Sequence, residues 1–321
     1  MTHLVRLCSC RVALGLLAVP MFDCLRSERS PWFRFARLAL CLLCACREAT
    51  KPNGLDVQTE GETMSGGHIF RQIDSGSLHT CGITTSGEAF CWGALDGESR
   101  AAPGGVQRVP IAVGQGLVFR IISAGNRFTC GITTLGAAYC WGDNAFGRLG
   151  TGTTTSSAIA APVAGALTFA RISTGATHAC GLTTSGVAVC WCRNELLALG
   201  DSTREPFRSS PTLVAGGHTF TQIASGNEYS CALTPSGAAY CWGHGAFGQL
   251  GNGSGDEVST PTAVAGGLSF KRISVGSGHT AATTHSGAGY SWGTKWQGQL
   301  GDGTQEHRYT PIRAAIGLIF K

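Results

Sequence analysis

The sequence predicts an all-β protein in which repeated four-stranded units stack as the blades of a β-propeller. Tryptophan recurs at nearly constant spacing, because Trp92, Trp141, Trp191, Trp242 and Trp292 lie 49, 50, 51 and 50 residues apart. The 321 residues include 47 glycines, and only 13% are charged, a composition typical of many turns. After residue 50, short runs of β-branched and aromatic residues lie between Gly, Ser and Pro clusters, which indicates many short strands.

Three further positions recur with the same period. A phenylalanine is followed by an isoleucine three residues later and a glycine after three more, at Phe70-Ile73-Gly76, Phe119-Ile122-Gly125, Phe169-Ile172-Gly175, Phe220-Ile223-Gly226 and Phe270-Ile273-Gly276. A unit of about 50 residues accommodates four strands, and its apolar face can be buried only against a neighbouring unit. We expect blades near 66–115, 116–165, 166–216, 217–266 and 267–316, with a sixth beginning at 317 in an incomplete ring.

Eight cysteines form four pairs with a spacing of ten residues: Cys81/Cys91, Cys130/Cys140, Cys180/Cys190 and Cys231/Cys241. In the first pair, a three-residue hairpin loop, Thr85-Ser86-Gly87, with Gly87 in the left-handed conformation, places the two cysteines opposite each other. They form a non-hydrogen-bonded pair, whose Cα atoms lie about 4.5 Å apart, near the short end of what a disulfide accepts. We therefore predict a disulfide in each of these four hairpins.

The fifth unit supports this pairing because it lacks both cysteines together, with Ala281 and Ser291 in their places. Half of a disulfide would be a reactive free thiol, so the partners are expected to disappear as a pair. A structural zinc site needs about four ligands, and a redox-active pair is normally closer in sequence, so both alternatives are weaker. Cys192 replaces the glycine after Trp191 and is interpreted as drift or a free thiol.

The hairpin register has a second consequence. Gly82, Gly131 and Gly181 face Phe90, Tyr139 and Val189, which are placed one residue before the second cysteine of each pair. We expect the aromatic partner to lie across the glycine and cover its exposed backbone.

The opening segment, residues 1–46, is typical of a leader. Two apolar stretches, Val12–Phe22 and Leu38–Ala45, each follow arginines and are shorter than the roughly 20 residues that span a bilayer. The second stretch ends before Cys46 in a sequence that resembles a bacterial lipoprotein cleavage box, so Cys46 is a candidate for lipidation. Met21 is an alternative start, and the leader cysteines can also be incidental. Residues 47–64 are predicted to be a flexible linker, and 65–321 the propeller.

Composition and motifs argue against several functions. Much of the net charge of +5 lies in the first 50 residues, so no broad basic face for nucleic acid is implied. We find no phosphate-binding loop, nucleophile elbow or dinucleotide fingerprint, and we expect no catalytic residues, metal or cofactor. The glycine-rich loops Gly251–Gly255 and Gly301–Gly303 lack the alternating acids of a calcium loop and are interpreted as turns.

Several repeated marks occur together in a fixed order. Cys-Trp-Gly is followed by Gly-Gln-Leu-Gly at Gly248–Gly251, with Pro261 downstream, and Ser274–Thr280 reads Ser-Val-Gly-Ser-Gly-His-Thr. These units, over residues 66–321, resemble the regulator-of-chromosome-condensation repeat family. The resemblance implies a propeller, and the cysteine pairs look like the family's bacterial exported branch. The first unit departs from the pattern, because Ala94–Val109 stands where the Gly-x-Leu-Gly mark is expected.

We expect an exported, non-catalytic binding or scaffold protein of the cell envelope or extracellular space, with an unknown protein or glycan partner. A membrane contact is expected only through the lipid anchor. The alternative, from the resemblance alone, is a regulator that acts like the family's nuclear nucleotide exchange factor on a small GTPase. A third hypothesis, a polysaccharide-active enzyme, would use loop aspartates of successive units: Asp96, Asp143, Asp201, Asp256 and Asp302.

Overall fold

The computed structural model describes residues 67–95, 106–314 and 319–320. Every described strand belongs to one of five four-stranded antiparallel sheets, and within each sheet the strands lie side by side in sequence order. The prediction of an all-β propeller with five blades is therefore confirmed. The predicted leader and linker, including Cys46, lie outside the described residues.

The first two blades consist of β1 (Phe70–Ser75), β2 (His79–Thr84), β3 (Ala89–Gly93) and β4 (Gln107–Ala112), then β5 (Phe119–Ala124), β6 (Phe128–Thr133), β7 (Ala138–Gly142) and β8 (Ser157–Pro162). The third consists of β9 (Phe169–Thr174), β10 (His178–Thr183), β11 (Ala188–Arg193) and β12 (Phe207–Leu213). The last two consist of β13 (Gln222–Ser225), β14 (Tyr229–Leu233), β15 (Ala239–Gly243) and β16 (Val258–Ala263), then β17 (Phe270–Val275), β18 (His279–Thr284), β19 (Gly289–Gly293) and β20 (Arg308–Arg313). A short 3-10 helix, Ala145–Gly147, follows β7.

The central hairpin of each blade has the predicted register. In the first blade Cys81 pairs with Cys91, and the amide of Thr84 donates to the carbonyl of Glu88 at 2.9 Å. Gly87 closes the turn with a φ of +89°, a conformation that glycine adopts without steric cost. All four cysteine pairs form disulfides in the structure, with Cα atoms 4.0–4.1 Å apart, slightly closer than the expected spacing.

The prediction that the cross-strand aromatic covers each hairpin glycine is wrong. Gly82 does pair with Phe90, but the ring against its Cα belongs to Phe70, at the start of the same blade. A Cβ built at Gly82 would lie 2.6 Å from that ring, and Gly131 meets Phe119 at the same distance. Glycine is required at this position because the phenylalanine of the first strand occupies the space that a side chain on the second strand would need.

Each disulfide joins two strands of one blade and packs against the next blade. The Cys81–Cys91 bridge shares one buried cluster with Phe119 and Trp141 of the second blade. The other three junctions repeat this arrangement, so the prediction that the recurring aromatics form the inter-blade core is confirmed. At each junction the amide of the phenylalanine also donates to the carbonyl of the preceding turn glycine, as Phe119 does to Gly87 at 2.8 Å.

Among the residues that the structure describes, the outer faces of the first and fifth blades lack this packing. Ile73 of the first blade is 58% exposed, whereas the equivalent Ile122 in the second is 2% exposed. The fifth blade has a hollow of about 480 Å³ lined partly by Tyr290 and Leu300. Phe320 contacts this face and donates its amide to Gly287 at 2.9 Å, which repeats the contact that begins each internal blade.

Candidate binding face

Two sets of loops meet on one face of the propeller, which we call the loop face. They are the loops between the first and second strands and those between the third and fourth strands of each blade. Backbone hydrogen bonds hold the two sets of loops side by side. After the third strand, the amides of Asp143 and His244 donate to the carbonyls of Arg127 and Glu228, which follow the first strands, at 2.8 and 2.9 Å. The hairpin turns such as Thr85–Gly87 connect the second and third strands and so lie at the opposite ends of those strands.

At the centre of the loop face is an opening of about 280 Å³. It is lined by the residues where the first strands end and their following loops begin: Ser75–Ser77, Ala124–Asn126, Thr174–Ala176, Ser225–Asn227 and Val275–Ser277. Small residues, hydroxyls and amides predominate in this lining, so the opening is polar and all five blades contribute to it.

Buried side chains hold the longer loops in place. Asn144 donates to the carbonyls of Thr153 and Thr155 at 3.0 and 2.9 Å and accepts from the amide of Leu149 at 2.8 Å. In the fifth blade the corresponding residue is Lys295, which is fully buried. These contacts fix the loop backbone, so its outward side chains sit on a rigid support.

Lys295 is held by groups of its own loop. Its ammonium forms an ion pair with Asp302 and donates to the hydroxyl of Thr304 at 2.7 Å. Asp302 also accepts from Arg308 at 2.9 Å. A buried charge of this kind is tolerated because it is both paired and hydrogen-bonded.

An aromatic cluster with one exposed ring lies on the loop face where the fourth and fifth blades meet. The ring of Phe247 lies 5.0 Å from that of Trp296 and 5.5 Å from that of His307, and Trp296 lies 5.2 Å from His307. Trp296 is 60% exposed and stands outside the repeated tryptophan positions. We call these three residues the aromatic cluster. Their packing leaves a broad indole surface directed to solvent.

The loop aspartates do not converge on a shared site. Asp143 pairs with Arg148 at 3.0 Å, Asp201 with Arg208 at 3.1 Å and Asp302 with Arg308, each within its own blade. Asp256 accepts from the hydroxyl of Ser254. These carboxylates brace individual loops, and Asp96 lies outside the described residues.

The two candidate ligand loops are built as turns. Gly251 and Gly253 have φ angles of +66° and +88°, and the side chain of Asn252 accepts from the amide of Ser254 at 3.0 Å. Gly301 and Gly303 repeat the left-handed conformation in the fifth blade. Within the described ranges, no three His, Cys, Asp or Glu side chains are grouped as metal ligands would be.

Cys192 is the unpaired cysteine of the described ranges, and it is fully buried. Its φ of +86° matches the left-handed conformation of glycine at the same place in the other blades, as at Gly142 and Gly243. Burial raises the pKa of the Cys192 thiol to about 11, so it stays protonated and is a poor nucleophile at neutral pH.

The histidines near the first cysteines make contacts between blades that the sequence does not predict. His79 lies 2.7 Å from the hydroxyl of Thr129, and His178 lies 2.7 Å from that of Ser230, each in the next blade. Burial lowers the pKa of His178 to about 4, so the imidazole is neutral in the folded protein.

Within the described ranges, no helix is both long and apolar enough to cross a bilayer.

Two family models, both described as the regulator of chromosome condensation (RCC1) repeat, match this sequence. One matches residues 136–182 and 236–283, and the other matches 70–96, 119–148 and 220–249. No curated protein is similar enough in sequence to count as a match.

Solved structures share the fold at low sequence identity. Prp20p from Saccharomyces cerevisiae is 21% identical with a TM-score of 0.68, over 77% of this chain and 63% of its own. Human WBSCR16 is 22% identical with a TM-score of 0.71, over 78% of this chain and 68% of its own. The chain therefore spans less than two thirds of the length of Prp20p. The recurring repeat matches and the five stacked four-stranded blades establish that this chain belongs to the RCC1-repeat family.

Proposed function

We propose that this protein is an exported, non-catalytic propeller that binds a protein or a glycan through its loop face. The aromatic cluster is the observation that carries the proposal. Exposed tryptophan is costly to leave in water, and tryptophan is among the residues most often found at the energetic centre of protein interfaces. A flat ring with a polar edge also suits the apolar face of a sugar.

The rigidity of the loops supports a binding role. The backbone under the aromatic cluster is fixed by buried contacts such as those of Lys295, and Gln299 accepts from the amide of Gln297 at 2.9 Å. A partner would therefore meet side chains that are already placed, which lowers the entropy lost on binding. Binding residues on loops that a rigid scaffold positions are common in β-proteins.

The disulfides support export. Four hairpins of one chain carry them, and disulfides persist mainly in secreted and envelope proteins, because cytosolic reductants keep thiols reduced. Attachment through a lipid at Cys46 is part of this proposal and would place the propeller at the cell envelope.

The binding proposal is tested by comparing two exposed apolar positions on opposite faces. Trp296 lies on the loop face, and Leu135, 89% exposed, lies in a hairpin turn. A photo-crosslinking residue at 296 should capture a defined partner in the native host, and the same residue at 135 should not. In parallel, the purified protein is applied to a glycan array, where Trp296→Ala should reduce any signal at least tenfold and Leu135→Ala should not. Equal capture at both positions with no array signal would refute the proposal, as would saturable turnover of a substrate.

The family supplies a second candidate, an exchange-factor-like regulator of a small GTPase. Its support is the shared fold with Prp20p, a structure described together with binding to Gsp1p and histones. This candidate needs a reducing compartment, whereas the export proposal needs an oxidising one. Eight reactive thiols in the repeats of protein alkylated inside intact cells would favour the regulator.

A further inference from the structure

The first strands of all five blades surround one cavity of about 600 Å³, which we call the central channel. The residue two positions after each starting phenylalanine lines this channel: Gln72, Ile121, Arg171, Gln222 and Arg272. The cavity lies within the size range of ligand pockets, about 300–1,000 Å³. The same strands lead directly into the polar opening at the centre of the loop face.

The two glutamines have a structural role at this position. Gln72 donates to the carbonyl of Ile122 at 2.8 Å and accepts from the amide of the same residue at 3.2 Å. Gln222 joins the fourth and fifth blades in a similar way. Its side chain donates to the carbonyl of Lys271 at 2.6 Å and accepts from the amide of Ile273 at 3.4 Å. Glutamine here therefore bridges adjacent blades.

The two arginines do not serve that role. Arg171 and Arg272 are exposed, and neither guanidinium has a hydrogen bond or ion pair within the described ranges. By contrast, Arg120, one position after its phenylalanine, donates to the carbonyls of Phe169 and Ala170 at 2.5 and 3.3 Å. Two uncompensated cations thus share the central channel, while neighbouring arginines bind the backbone.

One carboxylate lies on the same set of strands. Asp74 accepts from the amide of Ala124 at 2.7 Å, and burial raises its pKa. The carboxylate is therefore already engaged by the second blade. Arg272 also lines the hollow on the outer face of the fifth blade, so it lies at the boundary of both cavities.

We propose that the central channel binds a small molecule carrying two acidic oxyanion groups, carboxylate or phosphate, through Arg171 and Arg272. A guanidinium presents a planar fork of donors that matches either group in a bidentate way. Ser123 also lines the channel, but its hydroxyl already bonds to Thr174 at 2.9 Å, so the donors for the ligand are the two guanidiniums. The channel site shares no residue with the aromatic cluster, which consists of loop residues. Ligand binding in the channel therefore does not depend on whether the loop face binds a partner.

The test is titration calorimetry on the folded, oxidised protein at low ionic strength, with succinate and inorganic pyrophosphate as probes and glucose as the neutral control. At least one anion should bind with a Kd below about 1 mM, and added salt should weaken it. Binding of succinate alone identifies a carboxylate ligand, and binding of pyrophosphate alone identifies a phosphate ligand.

Arg171→Gln and Arg272→Gln should each weaken binding at least tenfold, and the double variant should abolish it. Both variants are expected to fold, because glutamine already occupies this position at Gln72 and Gln222; a thermal melt checks this. Arg204→Gln, which removes an exposed cation from a loop, is the matched control and should bind as wild type does. The proposal is overturned if neither anion binds the wild type, or if Arg204→Gln weakens binding as much as the channel variants.

Discussion

The indole Nε1 of Trp191 donates a hydrogen bond to the carbonyl oxygen of Arg148, in the preceding blade, at 2.8 Å. Trp242 and Trp292 make the same bond to Ala198 and Gln249, each at 3.0 Å. In each case the carbonyl precedes a fully buried leucine, Leu149, Leu199 or Leu250, which in the second and fourth blades belongs to the Gly-x-Leu-Gly mark. The repeated tryptophan and the repeated loop are therefore two halves of one inter-blade contact.

Replacing Trp191 with phenylalanine should destabilise the protein more than the same change at Trp141. Both side chains are buried, but the Nε1 of Trp141 has no hydrogen-bond partner among the described residues. Trp191→Phe leaves the carbonyl of Arg148 without its donor, which typically costs about 1–3 kcal/mol. The difference between the two free energies of unfolding, from denaturant melts, measures this bond. Equal losses at both sites would contradict the assignment.

Alanine substitutions at Gly251 and Gly301 distinguish the cost of a packing clash from the cost of backbone strain. Their φ angles are nearly equal, +66° and +67°. A Cβ at Gly251 would meet the indole of Trp292 at 2.6 Å, whereas one at Gly301 would meet nothing within 4 Å. We expect Gly251→Ala to cost at least about 1–3 kcal/mol more than Gly301→Ala, because only it overpacks an inter-blade contact. Matching thermal shifts for the two variants would show that the clash is relieved elsewhere.

Stability should fall as the pH drops below 6.5, with His178 as one cause. Its folded-state pKa, lowered to about 4 by burial, lies below the unfolded value of 6.5. The unfolded chain therefore binds a proton first, and up to about 3 kcal/mol of stability is lost between pH 6.5 and 4. His178→Phe, which copies Phe128 in the second blade, should reduce this slope. His285→Asn, at an exposed turn, should leave it unchanged; an unaltered slope in His178→Phe would exclude the histidine as the cause.

The fifth blade provides a natural substitute for a disulfide. Replacing Cys180 and Cys190 with alanine and serine copies Ala281 and Ser291 and should cost about 2–3 kcal/mol, since the bridge closes a short loop. Adding reductant should also lower the melting temperature of this variant by less than it lowers that of the wild type. Cys192→Gly, which removes the buried free thiol, should keep the full response. A wild type insensitive to reductant would contradict this account of stability.

Sequence periodicity predicted the blades and hairpins well because each depends on local geometry. The position of Gly87 in its turn determines that Cys81 pairs with Cys91, and this follows from strand alternation alone. What the sequence did not predict are the contacts that depend on how one strand lies on another. The ring over Gly82 comes from Phe70 in the adjacent strand of the blade, and no spacing rule gives that packing.

The candidate sites were harder to predict from the sequence than the blades were. Trp296 was recognisable because it falls outside the tryptophan period, but its neighbours Phe247 and His307 belong to different segments that only the folded loops bring together. Arg171 and Arg272 could have been noticed by aligning the units on their phenylalanines, since glutamine stands there in two other blades. That they share one cavity depends on the arrangement of all five first strands.

The most direct test of the account is non-reducing peptide mapping of the protein isolated from its natural host, with free thiols blocked inside intact cells. The account predicts four linked peptide pairs, joining Cys81 to Cys91, Cys130 to Cys140, Cys180 to Cys190 and Cys231 to Cys241. Cys192 should carry no bridge. Recovery of those eight cysteines as blocked, unlinked thiols would contradict an exported, disulfide-stabilised propeller.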